Sequence, residues 1–379
     1  MGGTGFSQQE LRAAISYENP MRALTILPLQ PSSARLDEVP DPPLQDGPLL
    51  IRTLAIGVCG TDRELVDGEY GAAPQGRERL IIGHESLGVI EEAPDDSGFQ
   101  TGDRVVGIVR RPDPVPCPAC AADEWDMCRN GLYTERGIKA RDGFCSEWFR
   151  IRPEFAVKVS PTLGIAGVLL EPTSVVAKAW DQIEYLGRRS RVWNPTRVLI
   201  TGAGPVGLLA MLLSRQRGLE THVYDRATDG LKPTLVSDAG AHYHSGDIKE
   251  IGELDADVII ECTGAPAVVI AAMGRNAHSA IVCLAGLSAV GREMPVDIAT
   301  LNQSMVLQND LVFGTVNANR RHYELAAEAL GKADQSWLNR LITRRVPLDQ
   351  WRTALEREPD DIKVVIDFSQ TDAQHGLTH

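Results

Sequence analysis

The sequence predicts an α/β protein of two domains, a β-rich N-terminal domain followed by a doubly wound parallel sheet. Its 379 residues exceed what one hydrophobic core usually serves. Short apolar runs broken by Gly, Pro and Asp fill residues 21–152, whereas apolar strands alternate with helical segments from residue 197 onward. These observations place the first domain at 21–173 and the second at 174–314. We expect 315–379 to return to the first domain, with 1–20 as an N-terminal extension and 370–379 disordered.

In the first domain, short apolar runs separated by Gly, Pro and Asp are typical of antiparallel β structure with functional loops. The predicted strands are 21–26, 49–54, 86–90 and 103–108. In the second domain, the predicted strand 197–201 has a continuous apolar centre, Val198-Leu199-Ile200, as strands buried on both faces of a parallel sheet have. Strands follow at 221–224, 258–262 and 280–284, with helices at 174–186 and 208–217. Such alternation predicts right-handed βαβ units of the Rossmann type. A helix at 322–330 and a strand at 363–368 end the chain.

Composition and charge narrow the classes of partner. Apolar residues make up 43% of the chain and aromatic residues 5%, and the net charge is −13. Nucleic acid and anionic membranes bind basic surfaces, so neither is an expected partner. We expect no apolar run to approach the ~18 residues that span a bilayer. The N-terminus lacks the basic start and apolar core of a signal peptide, so we expect a cytoplasmic protein.

Two segments predict a catalytic metal site. Cys59 lies in Gly-Val-Cys-Gly-Thr-Asp, and His84 lies in Gly-His-Glu. Zinc binds Cys sulfur and His nitrogen, and a catalytic site keeps one position open. The third ligand should be a carboxylate, either Glu85 or Glu171. Asp62 is suited to hold the second ring nitrogen of the histidine, and the Thr61 hydroxyl could pass a substrate proton outward.

A glycine-rich turn predicts a dinucleotide site. The turn directly follows the strand at 197–201 and opens a helix, which is the context that gives the motif meaning. Its glycines allow a tight turn, close approach to a pyrophosphate and helix–strand packing. The predicted coenzyme contacts in the turn are Gly202, Gly204, Pro205, Val206 and Gly207. After the next strand, Asp225 would bind the adenosine ribose and favours NAD, whereas Arg226 could bind the 2′-phosphate of NADP.

Three cysteines, Cys117, Cys120 and Cys128, have the spacing of a structural zinc site that is one ligand short. The fourth ligand could be Asp113, Asp123 or Asp126. The pattern equally allows an empty site. A zinc ion here would order a loop and take no part in the chemistry.

These motifs resemble the zinc-dependent medium-chain dehydrogenase/reductase superfamily, and within it the archaeal-type glucose 1-dehydrogenases. The superfamily likeness rests on the Cys59 and His84 segments, on Gly-Asp-Arg-Val at 102–105 and on the glycine turn. The glucose branch is indicated by Arg-Arg at 110–111, Thr-Glu-Arg-Gly-Ile at 134–138, Asp-Gly-Phe at 142–144 with Glu147, Leu-Glu-Pro at 170–172, and the blocks at 305–309 and 314–317. The resemblance covers nearly all of 21–368 and implies a GroES-like catalytic domain beside a Rossmann domain.

The resemblance also implies site roles. Zinc would be held by Cys59, His84 and either Glu85 or Glu171, and Thr61 would lie beside the reacting oxygen. Glu135 and Asn317 would bind sugar hydroxyls. We also expect Thr263 and Asn317 to contact the coenzyme and Glu171 to contact the substrate.

The chain also departs from its relatives. Pro114 replaces the first structural-zinc cysteine, and Val109 and Val175 stand where some members have Asn and Asp. We therefore expect a pocket that is not necessarily tuned to glucose.

The resulting hypothesis is hydride transfer from C1 of an aldopyranose to NAD(P), giving an aldonolactone, with zinc acidifying the anomeric hydroxyl. The first alternative is a dehydrogenase of another polyol, cyclitol or secondary alcohol. A non-catalytic nucleotide-binding protein and a zinc-free enone reductase are the others. By resemblance, we expect a homodimer or homotetramer.

Overall fold

The computed structural model describes residues 20–248, 254–274, 276–288 and 293–369. The expectations for the extension before residue 20 and for the tail at 370–379 lie outside the described residues. The first part of the chain is mainly β structure. Its strands are β1 (Met21–Ile26), β2 (Arg35–Val39), β3 (Leu49–Val58), β4 (Leu80–Ile81), β5 (Glu85–Glu92), β6 (Arg104–Gly107), β7 (Arg110–Arg111), β8 (Thr134–Arg136), β9 (Ala140–Arg141), β10 (Trp148–Ile151) and β11 (Ala156–Lys158).

Two short helices, α1 (Gly60–Val66) and α2 (Pro118–Ala121), interrupt these strands. Helices largely alternate with strands in the rest of the chain. Its elements are α3 (Leu170–Gly187), β12 (Arg197–Thr201), α4 (Pro205–Gln216), β13 (Glu220–Tyr224), α5 (Leu231–Asp238), β14 (His242–His244), β15 (Ala256–Glu261), α6 (Pro266–Met273), β16 (Asn276–Leu284), α7 (Ile298–Gln308), β17 (Leu311–Gly314), α8 (Arg320–Gly331), α9 (Gln335–Leu341), β18 (Ile342–Pro347), α10 (Trp351–Leu355) and β19 (Lys363–Asp367).

A seven-stranded sheet organises the first part. Its order is β11-β6-β5-β3-β19-β18, with β10 also paired to β3. Strand β3 alternates buried and half-buried residues over its first half and is then buried on both faces. The C-terminal strand β19 runs antiparallel to β3, with Val364 opposite Val58 and Ile366 opposite Ile56. The end of the chain thus joins the sheet that carries the Cys59 loop.

A six-stranded parallel sheet organises the second part, in the order β14-β13-β12-β15-β16-β17. The chain starts in β12 at the centre, proceeds outward to β14, and then crosses to β15 on the other side. Ligands of such sheets bind where the strand order reverses, at the carboxyl ends of the strands. Here that position lies between β12 and β15, at the end that carries the glycine turn.

Helix α3 begins earlier than the sequence pattern predicts, at Leu170 rather than residue 174. Pro172 falls in its first turn, where an amide donor is not needed, so proline does not end the helix. Pro161–Gly187 is long and apolar enough, by length and composition alone, to cross a membrane. The expectation that no run reaches this length was therefore wrong. However, 78% of its most apolar window is buried inside the structure, as in a core helix.

Candidate active site

Cys59 and His84, the two predicted sulfur and nitrogen ligands of the metal, lie next to each other. Cys59 Sγ lies 2.9 Å from His84 Nε2, although 25 residues separate them in the chain. Cys59 directly follows β3 and caps α1, so its sulfur accepts a hydrogen bond from the Thr61 amide at 3.2 Å. His84 lies in the turn between β4 and β5, which is paired to β3. Strand pairing therefore fixes the sulfur and the ring nitrogen at one point.

Asp62 lies close to both Cys59 and His84. Its Oδ2 accepts a hydrogen bond from the Cys59 amide at 3.0 Å, and its Oδ1 lies 3.3 Å from His84 Nδ1, close but not aligned as a linear hydrogen bond. Burial lowers the pKa of His84, but the neighbouring Cys59 sulfur and Asp62 carboxylate outweigh it, and the pKa is raised well above its usual value. Such concentrated negative charge around one imidazole suits a cation bound between sulfur and nitrogen.

Two glutamates border the same position. Glu85 and Glu171 each place a carboxylate oxygen within 4.8 Å of a His84 ring nitrogen and of one another. Glu85 is already held by Lys363, whose Nζ lies 2.7 Å from Oε1 and 2.6 Å from Oε2. No comparable ion pair holds Glu171 among the described residues. Burial raises the Glu171 pKa to about 7, with nearby His84 opposing this shift. Glu171 is thus the better placed of the two to neutralise a cation.

The Thr61 hydroxyl has a partner that the sequence did not indicate. It forms a hydrogen bond with Tyr70, which lies beyond the end of α1. Burial raises the pKa of the Tyr70 phenol, so the group stays protonated at neutral pH. A chain of two hydroxyls thus leads away from Cys59.

The two predicted sugar-binding residues also meet, although 182 residues separate them. Asn317 Nδ2 donates to Glu135 Oε1 at 2.8 Å. The buried Arg110 donates to the same oxygen from Nε at 3.0 Å and from Nη2 at 2.9 Å. Glu135 Oε2 receives none of these bonds. The pair therefore offers a fixed carboxylate oxygen and an amide, which suit hydroxyl groups.

The glycine turn has the geometry that phosphate binding requires. A Cβ atom on Gly207 would lie 1.8 Å from the Gly202 carbonyl oxygen, so only glycine lets α4 pack this closely. A Cβ on Gly204 would meet nothing within 4 Å. The space above Gly204 is therefore open, as it must be for a pyrophosphate to approach the start of α4.

Asp225 lies at the end of β13, as predicted, but it is more engaged than the sequence indicated. Its Oδ2 accepts from the Ala203 amide at 2.7 Å and its Oδ1 from the Ala227 amide at 3.0 Å. Lys232 Nζ lies 3.3 Å from Oδ1. Burial raises the Asp225 pKa, but the two amides and Lys232 outweigh it and the net pKa is lowered. The carboxylate thus has two amides and one cation as partners before any ribose binds.

One cavity of about 1000 Å³ joins the metal-site residues to the glycine turn. The predicted residues that line it are Cys59, Glu85, Gly202, Gly204, Pro205, Val206, Asp225, Arg226 and Thr263. Thr263 follows β15, where its amide donates to Glu261 Oε1 at 2.7 Å. The other predicted catalytic, sugar and coenzyme residues do not line this cavity: Thr61, His84, Glu135, Glu171, Gly207 and Asn317. Sequence reasoning missed Lys363, Tyr70 and Lys232, because their partners lie in other elements and no local pattern marks them.

The three clustered cysteines converge as the spacing predicts. The sulfur atoms of Cys117, Cys120 and Cys128 lie within 4.8 Å of one another. Among the candidate fourth ligands, Asp126 is committed elsewhere, to Lys178 at 2.9 Å and Asn319 at 2.9 Å. Asp123 is exposed. Asp113 is buried, and its Oδ2 has no hydrogen-bond partner among the described residues, so of the three it alone is both buried and uncommitted, although it does not join the sulfur cluster within 4.8 Å.

Both halves of the chain match described protein families. Residues 164–368 match the glucose dehydrogenase C-terminus, and residues 45–161 match the alcohol dehydrogenase GroES-like domain. A glucose 1-dehydrogenase from Methanocella arvoryzae is 40% identical over 358 residues, which are 92% of this chain and 99% of the relative. One from Caldivirga maquilingensis is 37% identical, with the same coverage.

A similar fold has been solved with ligands bound. The glucose dehydrogenase of Haloferax mediterranei, in complex with NADP, Zn and gluconolactone, superposes with a TM-score of 0.84. It is 29% identical, and the match covers 92% of this chain and 99% of that one. The expected combination of a GroES-like domain and a Rossmann domain is thereby confirmed.

Proposed function

The chain belongs to the glucose dehydrogenase family of zinc-dependent medium-chain dehydrogenases, and on that premise we propose that it oxidises an aldopyranose at C1 with NAD(P). The product is the aldonolactone. The observation that carries the proposal is the 2.9 Å approach of Cys59 Sγ to His84 Nε2 at a cavity shared with the glycine turn. Zinc, NADP and gluconolactone in the Haloferax enzyme support it.

We assign the zinc ligands to Cys59, His84 and Glu171. A thiolate, an imidazole and a carboxylate are a donor set that zinc accepts while leaving a position open. Glu85 is the alternative third ligand, but its ion pair with Lys363 would have to break first. When bound, zinc supplies a Lewis acid that makes a sugar hydroxyl more acidic.

The protein's own groups orient the sugar and move the proton. Glu135 and Asn317 bind ring hydroxyls, because Arg110 and the Asn317 amide fix one carboxylate oxygen and leave the other free. Thr61 accepts the hydroxyl proton as it gives its own to Tyr70, and the half-buried Tyr70 releases its proton to solvent. The hydride moves from C1 to the nicotinamide C4. Correct orientation of the two carbons contributes several kcal/mol to lowering the barrier.

The coenzyme is held by the glycine turn, with Asp225 and Arg226 at the adenosine end. Our preference for NAD rests on Asp225 as acceptor for the ribose hydroxyls. Arg226 and Lys232 line the same cavity and favour NADP, so the enzyme should be assayed with both coenzymes.

The alternative, another polyol, cyclitol or secondary alcohol, has one observation in its favour. Val109 is buried and Val175 is half-buried, at positions where some relatives have Asn and Asp. Fewer polar groups there would reduce the preference for a fully hydroxylated sugar.

The test is a panel of aldoses, polyols and secondary alcohols with NAD and NADP, followed by NAD(P)H absorbance and by NMR detection of the lactone. We expect an aldopyranose to give the highest kcat/KM. Cys59→Ala should abolish turnover, whereas the matched control Cys283→Ala, which alters a buried thiol in β16, should retain it. Full activity of Cys59→Ala, or after zinc removal by a chelator, would contradict the proposal.

We further propose a cytoplasmic homo-oligomer. All seven cysteines are free, which suits a reducing compartment. Strand β17 is an edge of the parallel sheet, and among the described strands only β16 pairs with it. Exposed apolar side chains near this edge, Ile298, Val306 and Leu307 on α7, suit burial against a second copy.

A further inference from the structure

Three histidines and a glutamate form a cluster on the parallel sheet that the proposed reaction does not use. Glu220 and His222 lie on β13, and His242 and His244 lie on the neighbouring edge strand β14. His222 pairs in register with His242, and Tyr224 with His244. Residues two apart on a strand share a face, and so do register partners on parallel strands, so all four side chains project from one side of the sheet.

The polar atoms of the cluster are close to one another. His222 Nε2 lies 3.0 Å from Glu220 Oε1, and His222 Nδ1 lies 2.8 Å from His244 Nε2. The His222 and His242 rings stack with centroids 4.8 Å apart. One ligand atom each from Glu220, His222 and His242 lie within 4.8 Å of one another. Glu220 and His242 are exposed, so their side chains can close the remaining distance to a shared ion.

We propose that this cluster is a further zinc-type site, separate from the Cys59 site and from the cysteine cluster, in which Glu220, His222 and His242 bind a divalent transition-metal ion. Two imidazoles and a carboxylate suit zinc, nickel or copper rather than calcium or magnesium. The exposed side of the cluster leaves room for water as a further ligand.

His244 and Arg197 have positioning roles in the site. A metal-binding histidine usually donates its other ring N–H to a neighbour, which fixes the tautomer. Here His222 Nδ1 can donate to His244 Nε2, so that Nε2 presents its lone pair to the ion. Arg197 Nη2 lies 3.1 Å from Glu220 Oε2, which holds that oxygen and leaves Oε1 for the metal.

The charge state of the ring nitrogens is compatible with this assignment. Burial lowers the pKa of His222 and outweighs the hydrogen bond that His222 donates to Glu220, which raises it. Burial, together with His222 and His242, also lowers the pKa of His244. The ligand His222 is therefore neutral at pH 7, which is the form that binds metals, and its neighbour His244 is neutral as well.

The site would fasten the edge of the coenzyme-binding sheet. Strand β14 has only three residues, and its His244 carbonyl accepts a hydrogen bond from the Asp225 amide at 3.1 Å. Three residues of strand, about 10 Å, separate His222 from Asp225. An ion shared by β13 and β14 would thus stabilise the strand ends beside the adenosine pocket without touching the reacting atoms.

Zinc stoichiometry of the full enzyme tests the proposal. Wild type, His242→Ala, Glu220→Gln and the control His278→Ala are dialysed against micromolar free zinc, and bound zinc is measured by mass spectrometry. His278 is an exposed histidine on β16 of the same sheet. We expect His242→Ala and Glu220→Gln to bind one equivalent fewer than wild type, and His278→Ala to match it.

Thermal unfolding gives a second readout. Added zinc should raise the Tm of wild type and of His278→Ala beyond the rise seen with the two site variants, because a ligand that binds only the folded state stabilises it. Turnover should be the same in all four proteins. Equal zinc content and equal Tm shifts would overturn the proposal, and because the readouts are not activity, they do not depend on the proposed reaction.

Discussion

At the scale of single residues, the active site concentrates acidic groups around one imidazole. Cys59, Asp62 and Glu171 all lie close to His84; Asp62 and Glu171 are buried, and Cys59 is half-buried. A cluster of this charge is costly without a cation, because buried charges need partners. The protein holds these groups together through strand pairing and a helix cap, so the metal-free fold already has the geometry that binding requires.

Glu171 gives this arrangement a measurable pH dependence. Its pKa is raised by burial from 4.5 to about 7, so in the metal-free protein the folded state binds more protons than the unfolded state between these values. Stability should therefore fall as pH rises from about 4.5 to about 7, by on the order of 3 kcal/mol. In Glu171→Gln this contribution should be absent. Chemical unfolding of both zinc-free proteins across this window measures it, and parallel curves would show that Glu171 titrates normally.

Asn317 allows the sugar and coenzyme roles to be separated. Its backbone has a φ of 62°, which glycine adopts without strain, so Asn317→Gly removes the amide and preserves the loop. We expect the KM for the sugar to rise by about 10- to 100-fold, the usual effect of losing a hydrogen bond to a charged or polar partner. The KM for NAD(P) should change little. A rise confined to the coenzyme KM would reassign Asn317 to the coenzyme.

At the scale of elements, β19 completes the active site from the far end of the chain. Lys363, its first residue, pairs with Glu85 although 278 residues separate them. Both side chains are almost fully buried. The ion pair restrains Glu85 beside His84 and links β19 to β5, the strand that begins directly after His84.

Removing Lys363 should therefore destabilise the fold. Lys363→Met leaves Glu85 buried without a counter-ion, which typically costs about 3–5 kcal/mol. Lys158→Met is the matched control, because Lys158 forms a half-exposed pair with Asp103 and should lose less than about 1 kcal/mol. Urea unfolding measures both. The double variant Lys363→Met with Glu85→Leu should recover much of the loss, and failure to do so would assign the effect to packing.

Elements with strong local patterns could be predicted, and the contacts between them could not. The apolar strand at 197–201 and the glycine turn after it are present where the sequence predicts them. Helix α9 was missed although Asp334 caps it through the Ser336 and Trp337 amides, because the segment is short. Lys363 was read only as part of a strand. Its role depends on β19 pairing with β3, which no local signal specifies.

At the scale of the whole molecule, one cavity is lined by residues of both sheets and their loops. Cys59 and Gly60, directly after β3, line it together with Gly202 and Gly204 of the glycine turn. The C-terminal strands β18 and β19 belong to the first sheet, although they follow the parallel sheet in the chain. The domain boundaries at 173/174 and 314/315 stay predictions. The return of β19 to the first sheet explains why Lys363 and Cys59 line the same cavity.

The free edge of the parallel sheet predicts how copies of the chain associate. Val306 and Leu307 on α7 are 66% and 71% exposed, near an edge strand whose outer side has no partner among the described strands. Burying such a surface is favourable by roughly 25 cal/mol per Å², whereas an added charge in it would have to be desolvated. We expect Val306→Glu with Leu307→Glu to convert an oligomer into a monomer of 41.2 kDa, measured by light scattering. Val192→Glu, which changes an equally exposed valine after α3, is the control and should leave the mass unchanged. An unchanged mass in the α7 variant would place the contact elsewhere, and a monomeric wild type would remove the interface altogether.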